Sequence, residues 1–269
     1  YRFMKKIAVV KLLGGLGNEM FQFSYGEYLK CNNINVYYDS TWAFLYNTEL
    51  RISKMHVEVR LINRFIGFFL YFLNRINFLF FINREKTPYS YQEFSSFPFV
   101  YYVGGWQHIS YIMRNKRHLK KCFQYNINNS LVKDLILTLS ANSVGIHVRR
   151  GDYVNNLIHE TIGIKYFLDA IKYIRDKVKE QRFFIVSDDI NWCKMNLIIE
   201  NCTYIDFSKN EFEDFEVLKN CHHKIISNSS FSWWAAFLGE ENSSITICPK
   251  MWTNKTESNS LQLPNWIII

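Results

Sequence analysis

The sequence predicts an α/β protein built on parallel sheets covered by helices, and three observations carry that prediction. The chain opens as strand, glycine loop, helix, strand. Its second half alternates short apolar strands with helical stretches of about ten to fifteen residues, the pattern of a parallel sheet with crossover helices. Of its 269 residues, 48% are hydrophobic and 21% charged, a composition that suits one large or two modest ordered domains.

The first strand is "KKIAVVKLL", followed by the glycine loop Gly14 to Gly17, the helical stretch "NEMFQFSYGEYLKC" and the strand "INVYYD". The middle, roughly residues 40–130, is aromatic and basic with irregular periodicity and little strand signal, so helices and loops are expected there. From Ser143 the rhythm resumes: strand "SVGIHVRR", helix "KYFLDAIKYIRDKVKE", strand "RFFIVSDD", a helix from Trp192, strand "CTYID", helix "FEDFEVLKNC", strand "HKIISN", helix "SFSWWAAFLGE" and strand "SITICP". The break divides the chain into two expected domains, 1–130 and 131–269.

Composition narrows the function. Aromatic residues make up 17% of the chain and Pro is scarce, which excludes a disordered linker. The formal charge of +8 favours an anionic partner without choosing among nucleic acid, a phosphorylated small molecule and a membrane surface. Six scattered cysteines show no CxxC and no zinc spacing, and are read as buried reduced thiols. Tyr1–Phe3 reads as a short addition before a natural start at Met4, and "MKKIAVVKLLGG" lacks a long apolar region and a cleavage site, so a cytoplasmic location is expected. "LINRFIGFFLYFLNRINFLFFINR", Leu61 to Arg84, is interrupted by Asn74, Arg75 and Asn77 and is too short in its apolar runs to span a bilayer. It is either a core helix or a basic helix lying on a membrane surface.

Three constellations carry chemistry. In "SVGIHVRRGDY" an apolar face of Val144, Ile146 and Val148 alternates with Gly145, His147 and Arg149. Arg150 and Asp152 then fall at the strand's carboxyl end, where open α/β sheets bind ligands. A guanidinium pair there suits phosphate because each fork donates two hydrogen bonds. Asp152 is either the partner that orients an arginine or a catalytic carboxylate. The glycine loop "LLGGLGNEMFQ" opens a helix whose free N–H groups suit a phosphate. Gly15 and Gly17, with Asp39 ending the second strand, mimic a dinucleotide fingerprint, but Met20 stands where its third glycine belongs. The alternative is a tight turn that brings Asn18 close to a sugar or its diphosphate. In "IISNSSFSWWAAF" a strand runs into a helix through Ser229, Ser230 and Ser232, which offer hydroxyl and N–H donors to an anion. Two strand-turn-helix anion sites plus an arginine pair point to a diphosphate ligand. No Walker lysine, DFG, HExxH or GxSxG pattern is present.

"LLGGLGNEMFQFSYG", "GIHVRRGDYV", "FFIVSDDINWC" and "IISNSSFSWWAAFL", in this order, resemble the bacterial α-1,2-fucosyltransferases of glycosyltransferase family 11, over Met4 to about Trp252. The resemblance implies a GT-B type fold of two Rossmann-like domains, the first on the acceptor side and the second binding GDP-β-L-fucose. It implies transfer of fucose with inversion to the 2-hydroxyl of a galactoside, with no metal or other cofactor. By likeness to the family's HxRRxD motif, Arg149 holds the β-phosphate, Arg150 supports it and His147 lies near the nucleoside. Asp214 stands where related enzymes read guanine, Ser229 and Ser230 would touch the diphosphate, and Asn18 and Gln22 would lie near the fucose. Trp106, Gln107 and Tyr153 fall in segments expected to touch the acceptor. Glu19 replaces the usual glutamine of the glycine loop and is expected to add charge near the donor. "SDD", Ser187 to Asp189, reads as a strand-end loop. The expected partners are GDP-fucose and a galactoside glycan, not nucleic acid, with peripheral membrane contact left open.

Overall fold

The computed structural model describes residues 6–76, 81–154, 161–257 and 260–269. The chain divides into two compact units, Tyr1–Tyr125 and Asn126–Ile269.

In the first unit β1 (Ile7–Lys11) leads through the glycine loop into α1 (Leu16–Lys30) and β2 (Asn35–Asp39), then α2 (Thr41–Leu45) and α3 (Arg64–Arg75) precede β3 (Ile82–Arg84), β4 (Phe99–Val103) and α4 (Lys116–Cys122). The sheet order is β2-β1-β4-β3, with every pairing parallel. Helix α1 is buried along most of its length, and Phe23 on it stacks on Tyr38 of β2 with centroids 5.5 Å apart. Two strands, β3 and β4, occupy the middle region, where mostly helices and loops are expected from the sequence. β4 pairs with β1 from Ile7 to Val10 and is buried on both faces, so it lacks the alternation of a half-exposed strand. Its marks are Val and Tyr between Pro98 and the pair Gly104-Gly105.

Asp39, at the end of β2, is buried and fully engaged. Its Oδ1 accepts from Thr41 N at 2.9 Å and Thr41 Oγ1 at 2.5 Å, and its Oδ2 accepts from Tyr101 Oη of β4 at 2.7 Å. A carboxylate committed to bracing β2 against β4 is not available to a ribose, which removes the dinucleotide fingerprint.

The second unit contains α5 (Ser130–Leu137), β5 (Ser143–Val148), α6 (Ile164–Lys177), β6 (Arg182–Ser187), α7 (Ile190–Asn196), β7 (Cys202–Tyr204), α8 (Glu211–Asn220), β8 (His223–Ile225), α9 (Ser230–Leu238), β9 (Thr246–Cys248) and β10 (Ile267–Ile268). The order β10-β9-β8-β5-β6-β7 is parallel at every pairing. The chain moves outward from β5 through β6 to β7, then crosses back to β8, so the topological switch point lies between β5 and β8. Val144, Ile146 and Val148 of β5 pack with Phe167, Ile171 and Ile174 of α6. On the opposite face Gly145 backs onto Leu218 and Cys221. Both faces are therefore covered, and all six residues of β5 are buried. Asn129 caps α5, and its Nδ2 donates to Phe207 O and to Glu213 Oε2 at 2.9 and 3.0 Å, which ties the start of this unit to α8.

Lys224 of β8 is fully buried, and its Nζ donates to Cys221 O at 2.5 Å and Gly239 O at 2.8 Å, the carbonyl ends of α8 and α9. The negative ends of two helices solvate this ammonium in place of water. All six cysteines are free; Cys122, Cys193, Cys221 and Cys248 are buried as expected, Cys202 is half-buried and Cys31 is exposed. No helix among the described residues is long and apolar enough to cross a membrane.

Candidate active site

The parallel register sets the arginine site. Val148 of β5 pairs with Ser187 of β6, which brings Arg149 and Arg150 abreast of Asp188 and Asp189 at the carboxyl edge of the sheet. Arg149 Nη1 lies 3.1 Å from Asp188 Oδ2, and its guanidinium lies over the Tyr153 ring at 5.5 Å. Arg150 donates its backbone N–H to Asp188 Oδ1 at 2.9 Å and its Nε to Asp189 Oδ2 at 3.2 Å, while its guanidinium stacks on Trp192 at 4.0 Å. Gly151 permits this: a Cβ there would meet Asp188 Oδ2 at 2.6 Å.

"SDD" is thus more than a strand-end loop. Its two carboxylates hold both arginines, a role the sequence reading offered to Asp152. The sequence signal was available in the adjacency of two consecutive strands ending in RR and DD. Asp152 belongs to the short helix Gly151–Tyr153, and its side chain lies outside the described residues.

His147 is buried beneath the site, with Nδ1 2.7 Å from Ser227 Oγ, a bond that joins β5 to the turn after β8 across the switch point. Burial, reinforced by the Arg149 charge, pulls its pKa down to about 3, so the ring is neutral. Ser227 was not singled out from the sequence, although it leads the serine turn. Ser229 is the N-cap of α9 and its hydroxyl caps nothing within the helix; Ser230 opens the first turn. Ser232 is different: it is fully buried and its Oγ turns back to Ser227 O and Ser229 O at 3.3 and 3.2 Å, so it braces the turn instead of facing a ligand. Tyr153 likewise serves the site from within, its Oη donating to Asn228 O at 3.2 Å while its ring supports Arg149. That geometry ties the arginine loop to the serine turn and does not favour the acceptor contact expected of Tyr153.

Asp214 lies in the first turn of α8. Its neighbour Phe215 packs on Phe231 at 5.4 Å, and Phe231 on His147 at 5.2 Å, which joins α8 to the site. Burial raises the Asp214 pKa to about 6, with Ser208 opposing the shift through a hydrogen bond. Its Oδ1 is buried without a hydrogen-bond partner among the described residues. A buried acceptor left open costs free energy unless a ligand donates to it.

The first unit has its own polar cluster at the carboxyl ends of β1 and β4. Gly14 holds a left-handed φ of 91° and Gly15 is the N-cap of α1, with open space where a Cβ would point. Gln22, fully buried, accepts from Leu13 N at 2.8 Å and donates to Leu13 O at 3.2 Å and Gly104 O at 3.4 Å. It staples the glycine loop to the end of β4. Gln107 Nε2 donates to Asn18 Oδ1 at 3.0 Å, so Asn18 and Gln107 form one pair. Gly17 is buried inside α1. Trp106 is fully buried and stacks on Tyr25 with centroids 4.1 Å apart, which makes it core, not an acceptor platform. Glu19 is buried too, and its Oε2 accepts from Ile52 N at 2.8 Å. That oxygen meets the segment Arg51–Lys54, whose Arg51 Nη1 donates in turn to Gly14 O of the glycine loop at 3.2 Å.

Two parallel sheets covered by helices, one with an anion-suited site at its switch point, make an α/β architecture of the GT-B type. The chain belongs to the family described as Glycosyl transferase family 11, whose profile matches residues 4–269. It is 30% identical to an alpha-1,2-colitosyltransferase of Escherichia coli, over 94% of this chain and 95% of that one. It is 28% identical to galactoside alpha-(1,2)-fucosyltransferase 2 of Sus scrofa, over 46% of this chain and 40% of that one. The fold is shared with NodZ alpha-1,6-fucosyltransferase, in a crystal soaked with GDP-fucose, at a TM-score of 0.54 and 12% identity, covering 87% of this chain and 92% of that one.

Proposed function

We propose that this glycosyltransferase is an inverting galactoside α-1,2-L-fucosyltransferase, which moves fucose from GDP-β-L-fucose to the 2-hydroxyl of galactose in an acceptor glycan. The observation that carries this reading is the Arg149–Arg150 pair, clamped by Asp188 and Asp189 beside the serine turn at the switch point. In the reaction the acceptor oxygen bonds to the anomeric carbon as the bond to the β-phosphate oxygen breaks, and GDP leaves with added negative charge. Arg149 and the N–H groups opening α9 meet that charge with donors already fixed in place. The arrangement supplies by guanidinium what many sugar transferases supply by a divalent cation, so no metal is required in this scheme. Asp188 and Asp189, the nearest approach to a metal-binding carboxylate pair, are already engaged with the arginines. Asp152, which follows the arginine pair in the sequence, is the candidate proton acceptor in the proposal. The six free cysteines suit a reducing compartment, and a cytoplasmic location is part of the proposal.

Asp214 reads the base. Guanine presents N1–H and an exocyclic amine side by side, and the open Oδ1 is the acceptor for them. Since the carboxyl's folded pKa is about 6 against an ordinary 3.8, the folded chain keeps a proton between those values that the unfolded chain has lost. Stability therefore falls as pH rises through that window and stays lower above it. GDP affinity runs the other way: it weakens as pH falls below about 6, approaching tenfold per pH unit as the carboxylate is protonated. Asp214→Asn removes the carboxyl's share of this pH dependence and leaves that of the GDP terminal phosphate, whose own second pKa is about 6; it weakens GDP binding at neutral pH and raises Tm at neutral pH but not near pH 3. Calorimetric titration of GDP across pH with both chains checks it; the same pH dependence in the parent and in Asp214→Asn removes Asp214 from base recognition.

The decisive assay incubates the chain with GDP-fucose and lactose in the presence of EDTA and follows GDP release and a 2-fucosylated product. Turnover under these conditions supports the proposal, and no transfer to any galactoside overturns it. The colitosyltransferase relative motivates one second reading. Colitose is fucose without its 3-hydroxyl, so a parallel reaction with GDP-colitose decides which donor the pocket prefers. A higher kcat/KM for the 3-deoxy sugar replaces fucose as the donor while leaving the arginine site in place.

A further inference from the structure

Helix α3 presents to solvent what a soluble helix ordinarily buries. Phe65, Phe69, Phe72 and Ile76 follow the i, i+4, i+7, i+11 spacing of a single helical stripe, and they are 85%, 59%, 58% and 53% exposed. The opposite side is the anchored one. Gly67 and Leu70 are buried, and a Cβ on Gly67 would meet Thr41 Oγ1 and Asp39 Oδ1, so only glycine lets the helix lie this close to the end of β2. The sheet has therefore fixed which face turns outward. Phe44 of α2, 54% exposed, extends the apolar area and packs edge-on against Phe68 at 5.7 Å.

Charge frames the patch. Residues 61–84 contain three arginines and no carboxylate. Arg64 and Arg75 are exposed at the two ends of α3, and Arg64 lies over the Phe44 ring at 4.6 Å. Outward phenylalanines flanked by arginines make up the composition of a helix that lies in the plane of a lipid interface, where rings enter the acyl boundary and guanidinium groups meet phosphate. A dimer interface or a neutral protein groove would be served by the apolar stripe alone. The arginines at its ends, with no acidic residue between, add complementarity to an anionic surface.

We propose that α3 docks this enzyme on the surface of an anionic phospholipid bilayer, peripherally and without insertion of a spanning segment. The inference is independent of which sugar or acceptor the enzyme uses.

Co-sedimentation with vesicles tests it on the full chain. Vesicles of roughly three parts phosphatidylcholine to one part phosphatidylglycerol retain the protein, and pure phosphatidylcholine vesicles do not. Phe65→Ser, Phe69→Ser and Phe72→Ser together abolish binding, because the rings are already exposed and their loss removes insertion without touching the core. Arg64→Glu with Arg75→Glu weakens partition about tenfold or more, as does raised salt. Circular dichroism and GDP affinity unchanged in both variants show that the fold is kept. Absence of binding to the anionic vesicles overturns the proposal, as does equal retention of the triple-serine variant. Light scattering supplies the remaining outcome: a dimer that the serine changes dissociate, without vesicle binding, assigns the patch to a second copy and likewise overturns it.

Discussion

Arg149→Ala lowers kcat for fucose transfer by roughly a thousandfold and leaves the fold intact. The expected size follows from what the guanidinium does. Its charge is held beside the serine turn by Asp188 on one side and the Tyr153 ring on the other, so it needs no reorganisation when the diphosphate departs. The side chain is partly exposed, and Asp188 retains the Arg150 backbone N–H when Arg149 is gone, so no carboxylate is left buried without a donor. Product quantified by chromatography, alongside a melting curve within a few degrees of the parent, checks both halves. Arg149→Lys recovers only part of the rate, because an ammonium restores charge but not the planar fork. Near-full activity of the alanine variant moves the phosphate site elsewhere.

Asp188→Asn gives the second large effect, and its signature differs. The amide oxygen can still accept the Arg150 backbone N–H, but the ion pair to Arg149 is lost. Losing the fixed aim of a group that must meet the departing phosphate costs about a hundredfold in rate. The loss falls on kcat, while affinity for GDP holds or tightens, since a carboxylate that competes with phosphate for Arg149 has been removed. Steady-state kinetics paired with GDP titration separate the two quantities. A variant that loses GDP affinity in proportion to rate would show that Asp188 supports the structure of the site and does not aim the arginine.

Much of this was legible in the chain. From β5 to β9 every strand and helix announced itself, because short apolar runs end in polar residues at the carboxyl edge of the sheet and helices of regular length intervene. Arg149, Arg150 and Ser229 could be placed at the carboxyl edge for the same reason: strand ends are where a parallel sheet displays its chemistry. What failed to show were features made by tertiary neighbours. β4 is buried on both faces and so lacks the two-residue period that marks a half-exposed strand. Asp188 and Asp189 acquire their meaning only from the register that sets β6 beside β5. Nor could the sequence show the internal contacts of Gln22, Trp106 and Ser232, which bond or stack against Leu13, Tyr25 and Ser227 only once the chain is folded.

Lys224 gives the site a built-in ruler. Helices α8 and α9 start at the carboxyl edge of the sheet, one offering Asp214 and the other the serine turn, and their far ends converge on a single buried ammonium. Pinned together at the tail, the two helices keep their leading turns at a set separation. A change at Lys224 would therefore be felt at the opposite edge of the sheet, in the spacing of Asp214 from the serine turn, although it touches neither.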